Sequence, residues 1–249
     1  MTTDPTPVRP GEPADADARL DASPAAVASP AAPAGAAKLA TLAACRRFFF
    51  SKASPKIMIG ALALVVALRV RQGGFSWWDL VVLVAILGFE PFTEWLVHVY
   101  ILHWRPRTVG GVRLDIHAAR KHRAHHLDPN DPHTSFIPLV DLVVLVGLAF
   151  ALFFAIVRGD LGLWLTAMAV SLGMLLTYEW THFLIHTPYR PQGRYYRSIW
   201  RAHRLHHFKN EHYWMGVTVN LADHVLGTFP AKSEVENSPT ARTLGIDVA

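Results

Sequence analysis

The chain has 249 residues, of which 51% are hydrophobic, with a positive mean hydropathy and a formal net charge of +5. This length is enough for one domain of ordinary size, and the apolar residues occur in long runs that an ordinary soluble domain does not need. The single cysteine, Cys45, excludes an intrachain disulfide and a cysteine-based metal site.

The N-terminal region is predicted to stay outside any folded core. Residues 1–37 are rich in Ala, Pro and Asp, a composition that cannot bury enough apolar surface, so we expect a disordered tail without a signal peptide. Residues 38–56 mix apolar side chains with cationic ones, which include Arg46, Arg47, Lys52 and Lys56. This pattern predicts an interfacial amphipathic helix that leads into a membrane, with a targeting peptide as the alternative.

Four apolar segments follow, and we interpret them as two helical hairpins, which gives four membrane spans within a domain at residues 57–230. The second segment continues into a helix that carries Glu90, Glu94 and His98. Residues 231–249 are expected to form a flexible tail. The sequence therefore predicts an all-α integral membrane protein, with spans at 57–68, 80–89, 142–157 and 161–178.

The basic residues indicate an orientation. They lie mainly between the two hairpins and after the last span, whereas the short opposite turns carry little charge. The positive-inside rule then places both termini and all histidine clusters on the cytoplasmic side. The basic excess is explained by this orientation, and nucleic-acid binding is not expected because no aromatic-rich polar platform accompanies the charge.

Histidine is the residue type that stands out, because all fourteen histidines lie between His98 and His224. Ten of them form four clusters in the order pair, triplet, pair, triplet, each beside a predicted span. The clusters are His98 and His103; His122, His125 and His126; His182 and His186; and His203, His206 and His207.

Helical spacing predicts which of these side chains converge. Residues three and four apart share a helix face, so each triplet and the second pair are expected to point at one place. His98 and His103 are five residues apart, or about 140° around an ideal α-helix. We therefore expect His103 to lie at a helix end before Pro106, or to serve the other metal ion.

Imidazole is a typical ligand of iron, zinc, copper and nickel. Two structural zinc ions would use eight ligands in closed sites. Ten ligands shared by two octahedral ions instead leave an open position on each, which oxygen chemistry requires. The sequence thus favours two iron ions, with zinc possible in the isolated protein. Carboxylates close to the clusters are expected to orient the imidazoles as residues of the catalytic site, namely Glu94, Glu179 and Asp223.

The remaining site candidates are weaker. Glu90 is as consistent with capping the turn before Pro91 as with a role at the site. His117 is interpreted as a solvent-exposed residue and His133 as a loop residue. His212 and His224 follow the last cluster, so they are either surface residues or part of the mouth of the site. These four candidate histidines have no role assigned by spacing.

The four ordered clusters on two hairpins resemble the fatty acid hydroxylase/sterol desaturase superfamily, over roughly residues 55–230. The layout is most similar to the fatty acid 2-hydroxylases, whose final segment shares Asn210, Gly216, Asp223, Gly227 and Thr228. The resemblance implies a four-span enzyme with a cytoplasmic helical cap around a dinuclear metal centre. It further implies that all ten clustered histidines are metal ligands and that the enzyme oxidises C–H bonds of lipids with O2 and two electrons.

The function expected from these observations is hydroxylation of a fatty acid or acyl lipid by a membrane-bound diiron oxygenase. Related eukaryotic proteins often carry a fused cytochrome b5 domain, which residues 1–37 cannot form. We therefore expect a separate electron-transfer protein of the ferredoxin or cytochrome b5 type. The alternatives are a carotenoid or sterol hydroxylase or desaturase of the same superfamily, and a non-catalytic zinc-binding membrane protein. A transporter would place its ligands near the bilayer midplane rather than at helix ends.

Overall fold

The computed structural model describes residues 39–246. The predicted tail at residues 1–37 lies outside the described residues, as do residue 38 and residues 247–249.

Four long helices form the two predicted hairpins. The last of the four packs against each of the other three. All four are long and apolar enough to cross a membrane, which confirms the predicted spans. Their bounds are α2 (Ala53–Gln72), α3 (Trp77–Leu96), α5 (Leu139–Ile156) and α6 (Leu161–Ile185).

The first helices differ in their bounds from the predicted ones. A short helix, α1 (Leu42–Phe49), lies within the region predicted to be interfacial, and Thr41 caps it by accepting a hydrogen bond from the Ala44 N–H. Helix α1 buries Cys45 and Phe49 against Phe183 near the end of α6. A break at residues 50–52 separates α1 from α2, so residues 53–56 belong to the first span instead of the interfacial helix.

The first span also extends past the predicted end at residue 68, because the buried Arg69 finds partners there. Its guanidinium donates to Asp79 at 2.6 Å, to the Thr166 hydroxyl at 2.9 Å and to the Gly73 carbonyl at 2.6 Å. Asp79 and Thr166 belong to α3 and α6, so one cation joins both hairpins at the end of the bundle away from the histidines.

Removal of this cation should destabilise the bundle. Arg69→Met leaves the buried Asp79 carboxylate unpaired, which we expect to lower the free energy of unfolding by about 3–5 kcal/mol. The thermal unfolding midpoint of the protein in detergent measures the effect. Arg71→Met is the matched control, since Arg71 lies on the same helix and is exposed. Equal midpoints for the two variants would contradict the role of Arg69.

The segments between and after the hairpins form a cap, which we define as residues 103–138 and 186–246. Its helices are α4 (His117–Leu127), α7 (Arg194–Phe208) and α8 (Leu221–Leu226), with a 3-10 turn at Lys232–Glu234. The cap also contains a small antiparallel hairpin that the all-α prediction lacked. In it β1 (Arg107–Val109) pairs with β2 (Val112–Leu114), and Gly110 and Gly111 supply the two positive φ angles of the turn.

The C-terminal segment differs from the predicted flexible tail. Within residues 231–246, Val235, Ala241 and Leu244 are buried. The Thr240 hydroxyl donates to Glu211 at 2.5 Å, and Arg242 donates to the Leu127 carbonyl. The segment therefore packs onto the cap because it supplies both apolar side chains and polar partners that short-range composition does not reveal.

Candidate metal centre

The first histidine pair lies on an unusual helix. Helix α3 continues directly into a π-helix at Val97–Leu102, and the His103 N–H donates to the His98 carbonyl five residues back, at 3.1 Å. The wider turn brings the two imidazole rings to 4.9 Å between centroids. His103 thus lies at a helix end, the first of the two predicted alternatives, and it shares a group with His98 because the α-helical angle of 140° does not apply to a π-helix.

The ten clustered histidines come together in two groups of five. Within each group, one nitrogen from every imidazole lies within 4.8 Å of those of the others. The first group is His98, His103, His122, His126 and His206, and the second group is His125, His182, His186, His203 and His207.

Each triplet is divided between the two groups, which corrects the prediction that a triplet converges on one point. His122 and His126 belong to the first group, whereas His125 points into the second. The other triplet is divided in the opposite sense, because His203 and His207 belong to the second group and His206 to the first. Residues four apart thus share a centre, while the residue between them serves the neighbouring one.

The spacing of the imidazole nitrogens fits a metal ion. Neighbouring Nε2 atoms of the first group lie 3.2 Å apart for His98 and His122 and 3.1 Å apart for His122 and His126. In the second group, His203 and His207 are 3.0 Å apart. Two nitrogens that bind one ion at right angles, each at a typical 2.0–2.1 Å, would be separated by about 3 Å. The histidine clusters therefore fit a metal site.

The protonation state also suits metal binding. Burial lowers the pKa of His126 to about 3, although its hydrogen bond to the Ala241 carbonyl opposes this. Burial, followed by the neighbouring imidazoles, holds the pKa of His207 well below its usual range. His126 and His207 are thus neutral at pH 7, which is the form that binds a metal ion.

Backbone carbonyls orient several of the imidazoles. The Nδ1 of His98 lies 2.7 Å from the Met215 carbonyl and that of His206 lies 2.9 Å from the Tyr213 carbonyl. The same contact joins His126 to Ala241 at 2.8 Å. A proton on Nδ1 leaves Nε2 free to bind a metal ion. These acceptors were not predicted, since a main-chain carbonyl has no signature in the sequence.

The carboxylates of Asp223 and Glu94 contact the main chain of a loop, and not the imidazoles that they were predicted to orient. Asp223 is fully buried and accepts the N–H groups of Met215 and Gly216 at 2.9 and 2.7 Å, and Glu94 accepts those of Val217 and Thr218. Both therefore hold the loop whose Met215 carbonyl orients His98, and they act on the imidazole through the main chain.

Glu179 holds a second loop in the same way. One carboxylate oxygen accepts the Ser54 hydroxyl at 2.7 Å and the Ile137 N–H at 2.8 Å. Two residues before Ile137, the Ser135 carbonyl lies 3.1 Å from Nδ1 of His182. Glu179 thus supports the second group as Asp223 and Glu94 support the first.

The other predicted candidates have varied surroundings. Glu90 lies 3.4 Å from the Thr218 hydroxyl, beside Glu94, so it belongs to the same polar cluster. His117 pairs with Asp141 at 2.9 Å, and His224 packs against the ring of Phe229. His212 lines a cavity of about 320 Å³ whose wall includes His103, so it lies at a mouth of the first group.

The C-terminal segment should be required by the first group alone. Truncation before Thr240 removes the carbonyl that orients His126 and the hydroxyl bound to Glu211. We expect the metal affinity of the first group to fall about 10–100-fold, the usual effect of losing such a partner. Metal content after dialysis against a chelator measures this. The second group is the internal control, and loss of both metal ions would contradict the prediction.

Comparison with known proteins relates this geometry to a family. The family model described as "Fatty acid hydroxylase" matches residues 82–228, more than half of the chain, including all ten clustered histidines. The fatty acid 2-hydroxylase of Mus musculus is 25% identical over 57% of this chain and 38% of its own length. That of Homo sapiens is 26% identical over 54% of this chain and 36% of its own length, so the matches span less than half of these relatives.

A solved structure supports the fold. The chain described as full-length scs7p, with only its hydroxylase domain visible, superimposes with a TM-score of 0.58 at 19% identity, over 74% of this chain and 66% of that one. Helices α5 and α6, most of α3 and the histidine-rich centre lie in the region that the family model matches, and α2 precedes that region. The chain is a multi-pass membrane protein and belongs to the fatty acid hydroxylase family.

Proposed function

We propose that this protein is a membrane-bound, non-haem diiron oxygenase that hydroxylates a C–H bond of a fatty acid or acyl lipid. The observation that carries the proposal is the pair of five-histidine groups, in which imidazoles from the cap helices α4 and α7 meet those of the first and second pairs beside the ends of two apolar helices. Family membership favours a fatty acyl substrate over a carotenoid or a sterol.

All ten histidines would hold the metal ions, five to each. Five nitrogen ligands leave one position of an octahedral ion for another molecule, and imidazole is a suitable ligand for iron. When bound, two iron ions would supply the activation of O2 and the removal of hydrogen from an unactivated carbon. Zinc is the alternative metal for the isolated protein. The alternative function with zinc is that of a non-catalytic zinc-binding membrane protein.

The protein's own residues would bind, orient and exclude water. The Met215, Tyr213 and Ala241 carbonyls fix the imidazole tautomers, and Asp223 and Glu179 hold the loops behind the imidazoles. Nine of the ten clustered histidines are buried and His103 is half-buried, so bulk water is largely excluded from the centre. The two histidine groups lie beside the C-terminal ends of the spans α3 and α6, and this position would let an acyl chain reach them from the bilayer.

The remaining parts of the proposal concern orientation and electron supply. The basic residues of the cap favour a cytoplasmic location of the cap and the termini. Two electrons would come from a separate redox protein of the ferredoxin or cytochrome b5 type. Arg190 and Arg197 are exposed on the cap and would attract an acidic face of such a partner.

Oxygen labelling tests the proposed function. The full chain, loaded with iron in nanodiscs, is supplied with a reductase system, fatty acyl lipids and labelled O2. We expect about one labelled oxygen atom per oxidised lipid, in a hydroxyl group whose position mass spectrometry identifies. Product with a new double bond and no label would indicate a desaturase. Unchanged lipids in protein that holds two iron ions would contradict the oxygenase.

A further inference from the structure

A second cavity lies apart from the mouth of the metal centre. It has a volume of about 400 Å³ and is enclosed by the first residues of α2, the exposed side of α4 and the loop that leads into α5. Three of its lining residues carry basic side chains, namely Lys52, Lys121 and His133. The cavity thus has a basic lining and lies between the starts of two spans and a helix of the cap.

The basic groups are arranged as donors. The Lys52 Nζ lies 3.0 Å from Nδ1 of His133, and because an ammonium can only donate, Nδ1 is the acceptor and the ring N–H is on Nε2. Lys121 is exposed and has no hydrogen-bond or ion-pair partner among residues 39–246. The acidic residue that interacts with Lys52 is Asp131, whose carboxylate accepts the main-chain N–H of His133 at 2.9 Å. Two ammonium groups against one carboxylate leave the cavity cationic.

The cavity lies at the level of the membrane surface. Helices α2 and α5, both membrane spans, begin at Ala53 and Leu139, and both of these residues line it. Ile137 adds an apolar wall on the same side. A phospholipid in the leaflet next to the cap has its phosphate at this height and its acyl chains below, which matches the basic upper part and the apolar wall.

We propose that this cavity binds the phosphate group of an anionic phospholipid. The chemistry recognised is the group of oxygens of a phosphate, which the ammonium groups of Lys52 and Lys121 and the Nε2–H of the His133 ring would contact. A free phosphate ion shares that chemistry, but the apolar wall between two spans favours the lipid. This binding does not rest on the proposed hydroxylation and can be tested without it.

The position of the cavity connects it to the second histidine group. Thr134 lines the cavity, and its hydroxyl lies 3.0 Å from Nδ1 of His125. The next residue, Ser135, supplies the carbonyl for His182, and Ile137 donates to Glu179. A lipid bound against this loop would hold in place the residues that orient two histidines of the second group, so it would also slow loss of metal from that group.

Lipid retention by the full chain in detergent provides the test, with native mass spectrometry as the readout. Phosphatidylglycerol is the lipid probe, phosphatidylcholine the neutral comparison and inorganic phosphate the free-ion comparison. Lys52→Gln/Lys121→Gln should bind phosphatidylglycerol about 30-fold more weakly than the wild type, and Lys121→Gln alone about 5-fold more weakly. The single variant changes only an exposed side chain, so it keeps its fold.

Arg47→Gln/Lys56→Gln is the matched control, because it removes the same charge from exposed residues of α1 and α2 that do not line the cavity. This control should bind phosphatidylglycerol with an affinity within about 2-fold of the wild type. That change is smaller than the roughly 5-fold expected from the loss of one basic residue that contacts the lipid. Equal weakening of both double variants would overturn the proposal, as would wild-type retention by Lys52→Gln/Lys121→Gln. Stabilisation by inorganic phosphate without lipid retention would assign the cavity to the free ion and overturn the lipid.

Discussion

Replacement of His206 by glutamine is expected to leave one metal ion per chain instead of two and to abolish hydroxylation. His206 is fully buried, and its Nε2 lies 3.3 Å from that of His126 within the first group. Glutamine preserves most of the side-chain volume, but it has no imidazole ring that can contact the Tyr213 carbonyl through Nδ1 and bind a metal ion through Nε2. We expect metal affinity at the first group to fall at least about 100-fold, since even the loss of an outer partner costs 10–100-fold. Elemental analysis and product formation measure the two effects.

The division of each triplet makes this prediction selective. His203→Gln, three residues earlier on α7, should empty the second group and leave the first loaded. His224→Gln is the control outside both groups, and it should keep two metal ions and near wild-type activity because its ring packs on Phe229. Loss of the same metal ion in His203→Gln and His206→Gln, recognised by its spectroscopic signature, would contradict the assignment of the groups.

Removal of Asp223 is expected to release metal from the first group without any change to a ligand. Asp223→Ala leaves the N–H groups of Met215 and Gly216 and the hydroxyl of Thr228 without their acceptor in a buried place. Hydrogen bonds to a charged group are worth roughly 1.5–3 kcal/mol each, so the loop that carries the Met215 carbonyl should loosen. We expect the rate of iron loss to a chelator from the first group to rise at least about 10-fold.

Glu179→Ala provides the reciprocal experiment. Its loss frees the Ser54 hydroxyl and the Ile137 N–H, beside the Ser135 carbonyl that orients His182. The second group should then lose its iron faster while the first keeps its own rate. A general loss of stability would accelerate iron loss from both groups in both variants, and that outcome would contradict a positioning role.

Asp223→Asn should restore part of the iron retention that Asp223→Ala loses, because an amide oxygen can still accept one N–H.

Much of the fold could be predicted because it follows from hydropathy and helical spacing. The four spans could be located from their apolar runs, although the first two runs, at residues 57–68 and 80–89, are shorter than the helices α2 and α3 that contain them. The ten clustered histidines could be selected from fourteen, since their spacing is repeated and the other four follow no pattern. The structure brings together those ten in its two groups.

The parts that could not be predicted depend on tertiary contacts or unusual backbone geometry. The convergence of His98 and His103 requires a π-helix, which no propensity identifies. The partner of His126 is the Ala241 carbonyl, 115 residues away in a segment that composition describes as a tail. Glu94, Glu179 and Asp223 could be recognised as important carboxylates, but their action through loop backbones needed the positions of those loops.

The wide turn at Val97–Leu102 also limits how this segment can vary among relatives. One residue inserted into or deleted from an α-helix rotates everything beyond it by about 100°. Deletion of one residue between His98 and His103 would instead produce a four-residue spacing, which a regular α-helix already places on one face. The second pair, His182 and His186, has that spacing. A regular turn with three intervening residues and a wide turn with four are equivalent solutions to one geometric requirement, so alignments of relatives should allow a one-residue gap between the two histidines.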